Sequence, residues 1–370
     1  LAKLVPGITI AHNNAYTNYN IRGITSGGVN ALSDTAIAIN YNQVSLATPS
    51  SASGMYFDLE RVELVNGPQG TLYGRNATAG AINVVAKRPV LGEFSGTVGA
   101  DFGNYSALNV RGAFNVPLTD TMAMRIAGQT VEHSGYYSDG ASDQDDKAVR
   151  LSFLAAPSDN LSIYLTTDYA KTDSKGLGTT LQVPCGTSFC YVGSQWTGLG
   201  DLMGYLPQER PASYNDSYFW GITANVEWTT PYGTLTVVPA YRRHSAHTVA
   251  NNASFGSLLG HDDPYQQSIE MRFQSPQENR FKYLVGVYGL KLNVSGIGGS
   301  ETAAARSWSA NYYSSETESY APFAQLTFGI TDNFRIVAGG RYTTDKNSTS
   351  SLRYTLRNVG GLGVMPVPGQ

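Results

Sequence analysis

From Glu93 onward, apolar and polar residues alternate with a period of two. Phe94, Val98, Ala100 and Phe102 share one face, against Ser95, Thr97 and Asp101 on the other. Leu108, Val110, Phe114 and Val116 oppose Asn109, Arg111 and Asn115. The pattern returns at Met122, Met124 and Ile126, at Trp220, Ile222, Val226 and Trp228, at Ile269, Met271 and Phe273, and at Phe334, Ile336 and Ala338. A strand turns successive side chains to opposite faces, so each run predicts a strand apolar on one side only. Only the strand around Pro239 is weakened by its own sequence, because proline cannot donate to a ladder.

The segments between the runs alternate too. Short turns fall at Pro117–Asp120, Pro157–Asn160, Pro231–Gly233, Pro276–Asn279 and Thr331–Asn333. Longer segments fall near 136–146, 176–214, 251–264 and 296–314. Tight turns at one end and long loops at the other form the pattern of an outer-membrane barrel. Arg111, Arg125, Arg150, Arg272, Arg335 and Arg341 all lie in phase with the polar face. An arginine facing lipid near the midplane costs about 2–4 kcal/mol, so this phasing assigns the polar face to the interior.

Before Glu93 the rhythm differs. Ile8 to Asn13 reads as a strand after a short helical end, and YNIRGI as a strand entering a turn at Gly23. The run from Ala36 to Leu46 reads as one strand, Arg61–Val65 as another, and Ala81–Ala86 as a third. Thr71 to Ala77 reads as loop or short helix, and Asp58 as the cap of a short turn. Residues 1–90 thus predict a small globular α+β unit, and residues 91–370 a run of antiparallel transmembrane strands.

Composition supports a mainly β chain. Charged residues are 14% of the 370, while Gly (40) and Tyr (24) are abundant. A net charge of −3 gives no basic balance that would favour nucleic acid. No apolar run reaches the roughly 20 residues of a spanning helix, and a mean hydropathy of −0.21 is compatible with strands whose alternation hides their apolar face. About eleven strands are expected, yet a 90-residue unit has a radius of gyration of roughly 12 Å and fits only a barrel of about 22 strands. The expectation is therefore an incomplete 22-stranded barrel, with both the globular unit and the barrel truncated. No targeting signal is visible at the start of the sequence, which for an exported protein is expected of a mature or truncated chain.

Two cysteines, Cys185 and Cys190, lie five positions apart in a loop-like segment. A small disulfide-closed loop in an oxidising compartment is expected, since a metal site would need further ligands nearby. His261-Asp262-Asp263 reads as a solvated loop tip, and His244 and His247 lie on a strand pattern. No P-loop and no Ser-His-Asp set is present in the sequence, so no catalytic residues and no cofactor are assigned.

The segment DLERVELVNGPQGTLYGRNATAGAINVVAKRP closely resembles the plug signature of TonB-dependent outer-membrane receptors. YNIRGI resembles another piece of that plug, and YAPFAQLTFGITDNFRIVAGGRYTTDK resembles paired barrel strands of the same family. The resemblance implies a plug domain inside a barrel in the bacterial outer membrane. It implies active uptake of a scarce ligand, by default a ferric siderophore, driven by a TonB-ExbB-ExbD complex that pulls on the plug. Carbohydrate, haem or vitamin ligands are the alternatives within the family, and a passive porin or adhesin is the alternative outside it. Ligand, TonB complex and outer-membrane lipid are the implied partners. Gly67, Pro68, Gly70, Gly74 and Gly80 supply tight turns in a crowded lumen. Arg22 and Arg61 are candidates to hold the plug to acids of the barrel wall such as Glu270, with Glu60 or Glu63 as local alternatives for Arg61. Tyr191, Trp196, Tyr205 and Tyr214 are the candidate ligand contacts. Asn66 departs from the family pattern, where a basic residue is common.

Overall fold

The computed structural model describes residues 8–13, 16–25, 36–48, 54–67, 77–137, 140–176, 213–252, 256–302, 307–331, 333–358 and 364–366. Every regular element among them is a strand. Of the two segments expected to carry helical character, residues 1–7 and residues 71–76 of the stretch Thr71–Ala77 lie outside the described residues, and Ala77 is irregular.

The first unit holds two small sheets. Strands β1 (Ile8–Asn13), β2 (Tyr16–Ile21) and β3 (Ile24–Thr25) form an antiparallel meander. Arg22 and Gly23, both at positive φ (52° and 84°), turn the chain between β2 and β3. Strands β4 (Ile37–Tyr41), β5 (Val44–Leu46), β6 (Leu59–Asn66) and β7 (Gly80–Ala86) form a second sheet in the order β5-β4-β7-β6. The single strand expected over residues 36–46 is a hairpin. Asn42 and Gln43 both take positive φ (47° and 73°), the conformation of a two-residue turn that asparagine tolerates without a neighbouring glycine.

This second sheet is two-faced, as alternation dictates. Ile37, Ile39, Tyr41, Ile82 and Val84 pack with Tyr19, Ile21 and Met55 in one buried cluster. Asn40, Asn83 and Glu63 form a hydrogen-bonded polar row on β4, β7 and β6: Asn40 Nδ2 donates to Asn83 Oδ1 (3.0 Å) and Asn83 Nδ2 donates to Glu63 Oε2 (3.3 Å).

From Ser95 the chain winds a single antiparallel wall. It begins with β8 (Ser95–Gly103), β9 (Ala107–Thr119), β10 (Met122–His133), β11 (Gln144–Ser158), β12 (Leu161–Ser174) and β13 (Tyr214–Thr230). It continues through β14 (Gly233–Asn252), β15 (Gly256–Asp262), β16 (Tyr265–Gln274), β17 (Phe281–Thr302), β18 (Ser307–Gly329), β19 (Arg335–Arg341), β20 (Thr344–Asn358) and β21 (Val364–Pro366). β15 and β16 both pair with β14 and β17, and β19 and β20 both pair with β18, so each couple is one interrupted rung of the wall. The expected alternation is present. Outward residues such as Ile126 (43% exposed), Trp228 (50%) and Ile336 (51%) form an apolar surface, while Arg125, Arg150 and Asn115 are buried on the inner side. An apolar surface of that extent around a sheet belongs in lipid.

The short turns fall close to where the sequence places them, although Pro117 and Pro157 still belong to the ends of β9 and β11 and residue 332 lies outside the described residues. Of the four long loops, 136–146 is largely irregular up to Asp143, 176–214 lies almost wholly outside the described residues, and the other two are not loops. Segments 251–264 and 296–314 are largely strand, because β14, β17 and β18 run on in register well past the apolar band. His261-Asp262 accordingly ends β15 rather than forming a loop tip, and the His261 ring lies 3.8 Å from that of its cross-strand partner His247.

Candidate functional site

The segment joining β5 to β6 is gripped by the wall. Gly54 and Asp58 turn it with φ of 75° and 47°. A side chain at Gly54 would collide with Cβ of Ala170 on β12, so glycine is what lets the plug backbone lie against the barrel here. Arg150 of β11 donates from Nη1 to the Phe57 carbonyl (2.7 Å) and from Nη2 to the Met55 carbonyl (2.9 Å). Its guanidinium lies over the Phe57 ring at 4.2 Å and the Tyr41 ring at 5.3 Å. Arg125 of β10 holds the Asp58 carboxylate in a fork, Nε to Oδ2 at 2.8 Å and Nη2 to Oδ1 at 2.5 Å. The expected cap at Asp58 is thus a plug–wall ion pair instead. On the next strands Arg242 forks Asp168 (3.1 and 2.8 Å) and covers the Tyr41 ring at 5.1 Å. Burial pushes the Tyr41 phenol well above its ordinary range, so the ring between Arg150 and Arg242 is neutral.

Charge-assisted hydrogen bonds contribute about 1.5–3 kcal/mol each, against about 0.5–1.5 for neutral ones. Removing one partner of a buried ion pair costs about 3–5 kcal/mol, because the other charge is left without compensation. Arg125, Arg150 and Asp58 together are therefore the strongest anchorage the described plug has on the wall. A further brace comes from Asn115 of β9, which bonds Val90 and Glu93 in the link between plug and barrel.

On the other side of the plug the direct contacts are neutral or exposed. Gln266 of β16 accepts from the Ala47 amide (2.9 Å) and donates to the Ser45 carbonyl (2.7 Å). Arg272 pairs with Glu270 on its own strand (2.7 Å) and touches Gln43. Between the polar face of the plug sheet and this wall lies a cleft of about 270 Å³, lined by Arg61, Glu63, Glu270, Arg272 and Arg341.

Above the clamp, toward the long-loop end of the wall, lies a cavity of about 970 Å³. Gly54, Tyr56 and Phe57 contribute from the plug, and His133, Lys147 and Lys171 from β10 to β12. Tyr56 is held by a 2.6 Å hydrogen bond to Tyr19. With aromatic plug residues on one side and mixed charges on the other, the cavity can take a bulky polar chelate.

The residues singled out in the sequence distribute as follows. Arg61 pairs within the plug, with Glu60 at 2.7 Å and Glu63 at 2.6 Å, and its hydrogen bond holds the Glu63 carboxyl below the usual carboxylate range. Arg61 and Glu270 line the same cleft, but Glu270 bonds Arg272. Arg22 is exposed at its turn. Gly67 and Gly80 both take positive φ (86° and 148°), and a side chain at Gly80 would strike the Val65 carbonyl. Tyr214 starts β13 facing outward, while its neighbours Asn215 and Ser217 line the large cavity. Pro68, Gly70, Gly74, Cys185, Cys190, Tyr191, Trp196 and Tyr205 lie outside the described residues. Asp58 and Arg242 had no mark in the sequence as contacts, although Arg125 and Arg150 were already assigned to the inner face.

Residues 1–81 match the family model described as the TonB-dependent receptor plug domain. The chain is 24% identical over 361 residues to the pesticin receptor of Yersinia enterocolitica, a match that covers 94% of this chain and 50% of that protein. It is 28% identical over 149 residues to an iron-regulated outer membrane virulence protein of Vibrio cholerae, covering 35% of this chain and 21% of that one. Its fold is that of the ferric yersiniabactin uptake receptor FyuA from Yersinia pestis, with a TM-score of 0.73, 17% identity, and coverage of 95% of this chain and 57% of that one. The chain spans about half the length of the pesticin receptors it matches.

Proposed function

We propose, on the premise that this chain is a TonB-dependent receptor of the bacterial outer membrane with its plug and adjoining barrel strands, that it serves energised uptake of a ferric siderophore. The carrying observation is the cavity of about 970 Å³ between Tyr56 and Phe57 of the plug and the long-loop ends of β10 to β13. A ligand seated there rests on the plug segment that Arg125 and Arg150 grip. Binding is thereby coupled to the element that has to move. Residues 1–90 act as the plug and 91–370 as wall. A TonB-ExbB-ExbD complex supplies the force, and outer-membrane lipid covers the apolar face. The protein transports its ligand and does not transform it. The names of its relatives, receptors for pesticin and ferric yersiniabactin, favour iron over carbohydrate or vitamin.

The test uses the full-length receptor in its outer membrane. Radioiron complexes of phenolate, catecholate and hydroxamate siderophores are compared with haem and with labelled maltooligosaccharides. At least one ferric complex should bind and accumulate, and a protonophore should stop accumulation while leaving binding intact. Accumulation that ignores the protonophore would identify a passive pore, and uptake of haem or sugar alone would reassign the ligand.

A further inference from the structure

The two sides of the plug are anchored by different chemistry. Toward β10 and β11 the anchors are buried and charge-assisted: Arg125 on Asp58, and Arg150 on the Met55 and Phe57 carbonyls. Phe57 also packs with Ala113 and Ala127 in an apolar cluster that excludes water. Toward β16, β17 and β19 the anchors are the amide bonds of Gln266 and the exposed contact of Arg272 with Gln43. The rest of that boundary among the described residues is the cleft, where three guanidiniums and two carboxylates stand beside Leu46, Val84 and Leu290.

Parting the cleft side breaks two neutral amide bonds of Gln266, itself 3% exposed, and an exposed Arg272–Gln43 contact whose groups water can solvate. Parting the clamp strips a buried carboxylate from its arginine and leaves buried guanidinium N–H groups without acceptors. A pull on the plug therefore opens the cleft side long before it opens the clamp side. We propose that the plug works as a hinged leaf: it stays fixed to β10 and β11 at Met55–Asp58 and swings away from β16–β19. The cleft lined by Arg61, Arg272 and Arg341 then widens into the passage. Three guanidiniums against Glu63 and Glu270 give that passage a net positive lining, suited to an anionic metal chelate. This rests on the energised-uptake reading above.

Bridging experiments separate the hinge from that reading. In a full-length receptor with Cys185 and Cys190 replaced by serine, one variant carries Gln43→Cys with Arg272→Cys across the cleft. Another carries Asp58→Cys with Arg125→Cys across the clamp, and a third carries Phe57→Cys with Ala127→Cys, so the clamp is probed even where loss of the ion pair prevents folding. Each is closed with a short bis-methanethiosulfonate linker, which forms a disulfide to each cysteine with loss of sulfinate and is released by reductant, and uptake of the radioiron siderophore panel is measured before closure, after closure and after reduction. Closing the cleft pair should lower that variant's uptake at least tenfold, reversibly, with binding unchanged; closing either clamp pair should leave uptake within about twofold of the same variant before closure, whatever the substitutions themselves cost. Equal loss from cleft and clamp bridges would overturn the hinge and show that the plug leaves as a unit, and so would full uptake through a bridged cleft. If the unbridged parent takes up none of the panel in a protonophore-sensitive way, the uptake reading itself fails and the hinge with it.

Discussion

The wall from β9 to β14 and the wall from β16 to β19 face the same plug, yet they hold it differently. Both walls make several direct hydrogen bonds to it. On the first, the main donors are the guanidiniums of Arg125 and Arg150, at most 9% exposed, with Asn115 bracing the link. On the second, Gln266 exchanges neutral amide bonds with backbone, and Arg272 already has Glu270. The difference teaches that contact number is a poor guide to which interface yields. What decides is whether the separated groups can be resolvated, and that is hardest for a charge already stripped of water.

The comparison can be broken most severely at Arg150. Arg150→Met removes two charge-assisted bonds and leaves the Phe57 carbonyl without its partner, while the Met55 carbonyl keeps the Phe57 amide, so the plug should loosen by about 3–5 kcal/mol. Limited proteolysis of the folded receptor should then cut between residues 54 and 67 at least a hundredfold faster. Asp58→Asn comes next. It keeps shape but removes the charge facing Arg125, and a loss of about 3 kcal/mol is expected. A double-mutant cycle with Arg125→Met should recover most of that loss, because the orphaned guanidinium is gone. Gln266→Ala should cost about 1–2 kcal/mol, the scale of two neutral hydrogen bonds. A larger loss than at Asp58 would reverse the ranking of the two walls.

The smallest effect is expected at Glu63. Its carboxyl is held below the ordinary range by Arg61, so whatever this pair contributes is present above the ordinary carboxylate pKa and fades as pH falls through the lowered one. Both groups are exposed, and screening by solvent should leave the melting temperature of Arg61→Ala indistinguishable from the parent between pH 4 and pH 7.

Much of the frame was legible in the alternation. Met122, Met124 and Ile126 against Arg125 fixed which face of β10 meets the plug, and the proline-marked turns set one end of the wall. Other parts carried no such signal. The upper reach of β17, SGIGGSET, is polar on both faces, so hydrophobic periodicity cannot distinguish it from a loop, whereas the start of β18, SWSANYY, does alternate Trp308, Ala310 and Tyr312 with Ser309 and Asn311. The hairpin at Asn42-Gln43 lacks the glycine that usually announces one. The clamp joins residues as far apart as Met55 and Arg150, and nothing local at Asp58 tells a capping carboxylate from one destined for a distant arginine. Arg61, by contrast, had acids on either side, and those are the partners it takes.

The hinge is tested most directly by the reactivity of two buried plug positions during transport. Leu46 lines the cleft at 5% exposure, and Met55 lies in the clamp at 0%. Single variants Leu46→Cys and Met55→Cys of the full-length receptor, with the native cysteines replaced by serine, are exposed to a membrane-impermeant maleimide in energised cells supplied with the ferric siderophore that binds. Leu46→Cys should react at least tenfold faster than in cells treated with protonophore, while Met55→Cys stays protected in both. Equal reaction of the two positions, or a reactive Met55→Cys beside a protected Leu46→Cys, would contradict a plug that swings from the arginine clamp.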